Sequence, residues 1–457
     1  VSLGLLALAP AVWAQDVEVG GRVETNLRWS LACDVVGYAG DCPWLDLHDA
    51  AVGGGFVHLR HQSRAAARFA ADLRLHGPAA VAALEDAGEP DLSQAASLKV
   101  HDAWVALYDV GFDGLDLIAG ARKLNWGVAS GFHPVDVVNP YDLEDPTSFG
   151  ERLAIPLLAA ELHRGAVAAE LVVAPWFVPA WLPADGVDLM ANGDDIVAEL
   201  DTGADGVEIR DLESRVDREA DRLAEVSVGA RASWASPIGD LALSAYRGRD
   251  SLPQVSGEVV ITGFSTDNSQ VDLGIPIAYP RIIQLGAEWQ GELPWLVTGW
   301  VEAALVLPQE TSATFSQGQL ESLERLGTIE EVPDPLPTLV TQDGRAFGRW
   351  VVGLDRGFGP VYVNLQWLHG FPTERQRADV RDYGVVVLHW TARPILALSG
   401  QLLTDGRGAL TGLRLDWLYA DLVEVWANLN YGLAPEGTSL HAFRGMSHVG
   451  VGSRVRF

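Results

Sequence analysis

Arginine recurs on the polar face of one alternating segment after another, and its planar guanidinium is built to grip carboxylates. Arg22, Arg28, Arg60, Arg68, Arg74, Arg122, Arg231, Arg349, Arg414, Arg454 and Arg456 all fall on such faces. The acids Glu24, Asp72, Glu170, Glu288, Asp416 and Glu424 accompany them. Rings of fixed charge decide ion preference along a narrow aqueous path. A face this rich in guanidinium would favour anionic or sugar-acid solutes. The competing reading is structural: the arginines pair with acids across neighbouring strands and fill a polar interior.

A second concentration of ionisable residues runs through Arg122, Lys123, His133, Asp136, Asp142, Glu144, Asp145, Glu151 and Arg152. Asn139-Pro140 and Asp145-Pro146 initiate turns, and Gly127, Gly131 and Gly150 permit close backbone approach. Such a loop could line a path with both signs of charge, or merely pack against a wall. Catalytic motifs are poor. Ser130 lies in Gly-Val-Ala-Ser-Gly, without the spacing of a nucleophile elbow. His133 and His163 are the partners a hydrolase would have to recruit. No phosphate loop or dinucleotide fingerprint occurs, so no cofactor is expected. Asp201-Thr-Gly-Ala-Asp-Gly is half an EF-hand loop, with Gly203 at position 3 and no Glu at position 12, which leaves weak calcium binding on an acidic loop at most. Cys33 and Cys42, close together in a polar stretch, point to a disulfide in an exported protein. Two thiols without converging histidines speak against a bound metal.

The elements that must position these residues are strands. Val17, Val19, Val23, Leu27 and Trp29 alternate with Glu18, Arg22, Glu24, Asn26 and Arg28, which puts the two sets on opposite faces. Residues 65–76, 361–367, 411–419 and 422–431 repeat the pattern. Short turns at Arg164-Gly165, Ser236 to Gly239, Glu292 to Pro294, Arg356 to Gly359 and Arg393-Pro394 alternate with long connections near 31–54, 77–97, 125–152, 178–222, 250–280 and 308–344. The final stretch, Ser447 to Phe457, carries Val449, Val451, Val455 and Phe457 on one face and His448, Arg454 and Arg456 on the other.

No apolar run after residue 14 is long enough for a membrane helix, so a membrane protein of this pattern has to be a closed barrel. The terminal strand ending on Phe457 resembles the last strand of Gram-negative outer-membrane β-barrels, which implies Phe457 as the signal read by the barrel-assembly machinery. The predicted fold is all-β: a transmembrane antiparallel up-and-down barrel with short periplasmic turns and long extracellular loops. If residues 51–76 are two strands joined near Gln62-Ser63, the count is 18; otherwise it is 16. Trp29, Trp104, Trp234, Trp295, Trp390 and Trp417 sit at strand ends, as interfacial aromatic girdles require. A soluble β-sandwich or propeller shares the alternation but needs neither the loop asymmetry nor the terminal aromatic.

The apolar run Val1 to Val12 followed by Trp13-Ala14-Gln15 reads as a signal peptide over 1–14 that lacks its charged n-region, leaving 15–457 as one barrel. The acidic residues behind the formal charge of −29 crowd the predicted loops, above all Asp185 to Asp221 in the acidic extracellular loop 178–222. This charge excludes nucleic acid, which requires basic patches, and suits solvated loops bridged by divalent cations to lipopolysaccharide. Within 207–223, Val207, Leu212, Val216 and Leu223 among many charges predict a short amphipathic helix.

Residues 120–183 carry a more specific signal. Trp126-Gly127, Asp136, Asn139-Pro140 and Asp142, followed by Pro175 to Pro183 in PWFVPAWLP, resemble a group of outer-membrane barrels related to the alginate-export porins. The resemblance implies that the 125–152 loop folds back into the lumen as a plug or constriction carrying Trp126, His133, Asp136, Asn139, Asp142 and Arg152. Together these features predict a non-enzymatic outer-membrane channel for small polar, anionic or saccharide-like solutes, lined by Arg22, Arg28, Arg68, Arg74, Arg122, Arg231, Arg349, Arg414 and Arg454. Its rivals are a plugged docking barrel that binds surface polymer or a periplasmic export partner, and an outer-membrane hydrolase.

Overall fold

The computed structural model describes residues 16–30, 51–61, 64–75, 96–143, 150–181, 208–216, 226–264, 270–295, 297–326, 338–435, 438, 440 and 447–457. Residues 1–14, Cys33, Cys42 and 201–206 lie outside them, as do the side chains of Arg28 and Trp29.

Alternation makes a wall. β1 (Asp16–Ser30), β2 (Ala51–His61), β3 (Ala65–Leu75), β4 (Ala96–Leu107), β5 (Leu115–Arg122), β6 (Ile155–Arg164) and β7 (Val167–Ala174) pair in chain order, each antiparallel to the next. β8 (Glu208–Val216) sits elsewhere, and the wall continues through β9 (Ser227–Ser236) and β10 (Gly239–Arg249). After β11 (Gln254–Val255), β12 (Gly257–Phe264) and β13 (Gln270–Ala278), it resumes with β14 (Arg281–Leu293) and β15 (Val297–Pro308). β16 (Thr311–Phe315), α1 (Gln317–Leu326) and β17 (Thr338–Gln342) intervene before β18 (Phe347–Phe358). The last six strands are β19 (Val361–His369), β20 (Asp382–Arg393), β21 (Leu396–Thr404), β22 (Ala409–Ala420), β23 (Val423–Leu433) and β24 (His448–Arg456). β24 then pairs antiparallel with β1, from Arg22↔Arg456 to Ser30↔His448, closing an 18-stranded barrel. The seam is finished by Gly21 and Phe457, which exchange both backbone hydrogen bonds at 2.9 and 3.0 Å.

Residues 51–75 are indeed two strands, and Asp16 and Phe457 lie at the same end as the turns between β6 and β7, β9 and β10, β18 and β19, and β20 and β21. The connection 405–408 departs from the simple asymmetry, being a short turn at the opposite, outer end.

β14 shows how sequence sets facing. Ile283 and Leu285 are exposed, while Ile282, Gln284 and Glu288 alternate with them and are buried. So many large apolar side chains face outward around the wall, Val19, Leu98, Leu158, Leu243, Leu365 and Leu413 among them, that only a hydrocarbon surround suits them. Leu285→Arg on this outer face is therefore expected to cost about 2–4 kcal/mol near the midplane, read as a lower urea midpoint for the refolded barrel. Trp234, Trp295, Trp390 and Trp417 are exposed beside the turns of the inner end and form a girdle there. Trp104 does not join them. An extra residue in β4 opposite Ala70/Ala71 changes the facing of the rest of that strand, and Trp104 turns inward, its indole N–H donating to Asp102 at 3.1 Å.

Three consecutive outer connections also pair with one another. β13 has β8 on one edge, parallel, and β11 and β12 on the other; β12 continues to β16, and β16 to β17. Of the amphipathic helix expected over 207–223, the described residues 208–216 are instead a strand, because pairing with β13 overrides a local 3.6-residue pattern.

Candidate functional site

Where β5 stops at Arg122 the chain leaves the wall and does not rejoin it until Ile155. Asn139 clasps the two ends of this excursion. Its side-chain carbonyl accepts from the Leu124 N–H at 2.8 Å, and its amide donates to the Leu153 and Arg122 carbonyls at 2.7 and 3.2 Å. The Leu153 N–H donates to the Pro140 carbonyl at 2.9 Å, and that of Asp142 to the Glu151 carbonyl at 3.0 Å.

From this base the loop crosses the bore. The Val128 and Ala129 N–H groups both donate to Oε1 of Glu302 on β15 at 2.5 Å, and His133 Nδ1 lies 3.1 Å from the same oxygen. Gln284 on β14 donates to the Pro134 and Val135 carbonyls at 3.1 and 3.2 Å. Gln366 on β19 donates to the Ser130 carbonyl at 2.8 Å. β19 stands eight steps round the ring from β5 (β6, β7, β9, β10, β14, β15, β18, β19), almost diametrically opposite. There Phe132 packs among Val351, Leu368, Phe371 and Tyr383. On the near side Trp126, 2% exposed, donates its indole N–H to Glu170 on β7 at 2.7 Å.

Charge secures the loop's other arm. Lys99 of β4 is buried and pairs with Asp142, and also reaches Glu151 at 3.3 Å. The Arg152 guanidinium lies 3.5 Å over the Tyr141 ring, donates to the Asn139 carbonyl at 3.1 Å and stands 3.6 Å from Asp136. Burial pushes the Asp136 carboxyl up from 3.8 to about 6, against the opposing pull of Arg152 and His133, while Glu302 adds to the rise. A carboxyl that holds its proton more tightly in place than in water stabilises the docked loop as pH falls. Docking should therefore strengthen from pH 7 down to about 4 and gain nothing below the free value of 3.8. Amide exchange across residues 128–138 should slow over that window, and Asp136→Asn should flatten the dependence.

Apart from Arg28, whose side chain lies outside the described residues, the arginines expected to line the lumen face inward, and most carry an acid. Arg22 pairs with Asp72 at 2.7 Å, Arg68 with Asp102 at 2.9 Å and Arg122 with Glu161 at 2.8 Å. Arg231 holds Glu288 through two bonds of 3.0 and 2.8 Å. Arg414 bonds Asp416 at 2.7 Å and Arg454 bonds Glu24 at 2.8 Å, both reaching Glu424 as well. Arg74 lies within electrostatic reach of Asp72, and Arg28 occupies the β1 position opposite Gly450. Arg349 is the exception: it is buried and forms no hydrogen bond or ion pair with any described residue.

Glu302, Gln284, Gln366 and Lys99 are anchors that sequence reasoning missed. Each occupies an inward position of its strand, and Glu302 is a lone acid in an otherwise apolar stretch. Asp116, Glu161 and His163 bring ligand atoms within 4.8 Å of one another. Arg122 already holds Glu161, and the Asp109 N–H donates to Asp116 at 3.0 Å, which accounts for the group without an ion.

No protein-family model matches the chain, and no curated protein matches it. The resemblance of residues 120–183 to the alginate-export porins therefore rests on those residues alone. Solved structures do match. A loop-deletion form of OmpT, an outer membrane protein of Vibrio cholerae, shares 9% identity over 97% of this chain and 99% of that one, with a TM-score of 0.37. A triple mutant of Rhodopseudomonas blastica porin shares 10% over 97% and 100%, with 0.35. Wzi, an Escherichia coli outer membrane protein involved in group 1 capsule assembly and described as a carbohydrate-binding barrel, shares 11% over 100% and 88%, with 0.44. These values carry no argument about solute or partner. The closed wall of 18 antiparallel strands with its apolar exterior makes the chain a β-barrel of the outer-membrane type.

Proposed function

We propose that the protein is a channel in the outer membrane of a Gram-negative bacterium, passing small polar, anionic or saccharide-like solutes by a path that the 123–154 loop narrows. The observation that carries this reading is the loop itself, which spans the bore from Asn139 at its base to Gln366 on the far wall. Passage of this kind needs no catalytic group. Because most lumen arginines are neutralised by acids, selectivity among simple ions should be modest, with discrimination coming from width and hydrogen bonding. The outer face would meet lipid and lipopolysaccharide, and Phe457 the assembly machinery.

A plugged docking barrel is the second reading. It is favoured by the apolar packing of Phe132 onto the far wall and by the paired sheet of outer connections, which offers a surface for polymer. Single-channel conductance in a planar bilayer with a salt gradient separates the two. Steady openings support the channel; silence from protein shown to be folded overturns it in favour of the plug.

A further inference from the structure

Three buried arginines meet on the outer side of the loop, from three different parts of the chain. Arg349 comes from the outer end of β18, Arg375 from the connection 370–381 and Arg152 from the loop. Arg375, Arg152 and Asp250 lie within electrostatic reach of Arg349, and so does the Tyr141 side chain. The turn into 370–381 presses on its stem, since a Cβ at Gly370 would meet Arg349 Cγ at 2.5 Å.

Their pairing with acids is unequal among the described residues. Arg375 bonds Asp250 through Nη1 at 2.9 Å, and its Nε and Nη2 are buried with no acceptor. Arg152 has Asp136 at 3.6 Å. Arg349, 5% exposed, has only the Phe347 ring at 5.6 Å, and its Nε is also without an acceptor. Arg349 is thus left without a carboxylate of its own among the described residues, and both it and Arg375 keep unused donors. A buried unpaired cation is strongly unfavourable, and a ligand bearing an oxyanion removes the penalty by accepting from the unused donors.

We propose that Arg349, Arg375 and Arg152 form an anion-binding site above the constriction, taking one carboxylate group of an incoming sugar acid. One guanidinium without a carboxylate matches a monoanionic group. The use of the site in transport rests on the channel reading; its existence does not.

The test is calorimetric titration of the full-length protein in detergent, in chloride-free buffer, with D-glucuronate as the probe and D-glucose as the neutral control. Glucuronate should bind saturably and raise the thermal midpoint, and glucose should do neither. Arg349→Met should weaken glucuronate at least tenfold while unfolding at the same or a higher temperature, because it deletes an uncompensated buried charge. Should that variant fail to fold, Arg349→Lys keeps the charge, loses the fork and should still weaken binding several-fold. No binding to the folded wild-type protein, or equal binding to the variants, overturns the site. Conductance keeps the two proposals separate. Protein that conducts without binding glucuronate retains the channel and loses the site; protein that binds without conducting does the reverse.

Discussion

Glu302→Ala should release the loop and raise single-channel conductance, with the docking equilibrium constant falling by about two to three and a half powers of ten, at 1.4 kcal/mol per tenfold. One carboxylate oxygen accepts from the Val128 and Ala129 N–H groups and stands within bonding distance of His133. Bonds to a charged acceptor contribute about 1.5–3 kcal/mol each. Removing the acceptor leaves two largely buried backbone donors unsatisfied, for a total of about 3–5 kcal/mol. Glu302→Gln keeps an acceptor oxygen without the charge and should cost less, about 1–2 kcal/mol. Conductance histograms and amide exchange at residues 128–138 should rank wild type, Gln and Ala in that order. An unchanged histogram for Glu302→Ala would mean that this anchor does not hold the loop.

Gly150→Ala acts at the loop's other end and should be nearly as damaging. Gly150 has a φ of +87°, and a Cβ there would fall 1.9 Å from the Gly131 carbonyl oxygen and 2.7 Å from its carbon. Both obstacles are backbone, so no side chain can yield. The left-handed conformation costs about 1–2 kcal/mol for a residue with a Cβ, and separating two packed segments adds about 1–3 kcal/mol. The barrel wall is untouched, so the variant should keep its strand signature by circular dichroism while exchange at 131–139 accelerates. Gly359→Ala, in open space at a turn, is the control and should leave the loop protected.

The wall was legible because lipid outside and water inside impose a strict two-residue period on every strand. The split of 51–75 at Gln62-Ser63 came from the same parity. Trp104 escaped because one extra residue in β4 reverses the facing of the remainder of the strand, and nothing local marks the bulge. β8 escaped because its charges fall at helical spacing, while the partner that makes it a strand lies on a later connection. The loop was visible as a charged, glycine- and proline-marked stretch, but its anchors were not. Glu302 is 174 residues from Val128, and an inward acid reveals its face without revealing what it will hold. Lys99 carried a fainter signal, since it and Lys123 are the chain's two lysines and flank the excursion from neighbouring strands.

The seam between β1 and β24 has a consequence for the order of folding. Glu24 and Arg454 are ion-paired across it at a separation of 430 residues. Ring-closure entropy rises only logarithmically with that distance, so the cost is chiefly one of time: contacts so remote form late. Until they form, the growing sheet has two free edges, each a row of unsatisfied N–H and C=O groups able to recruit a foreign strand. Closure is then a single terminal event in which each edge protects the other, and the partly built wall is most vulnerable just before its last strand arrives.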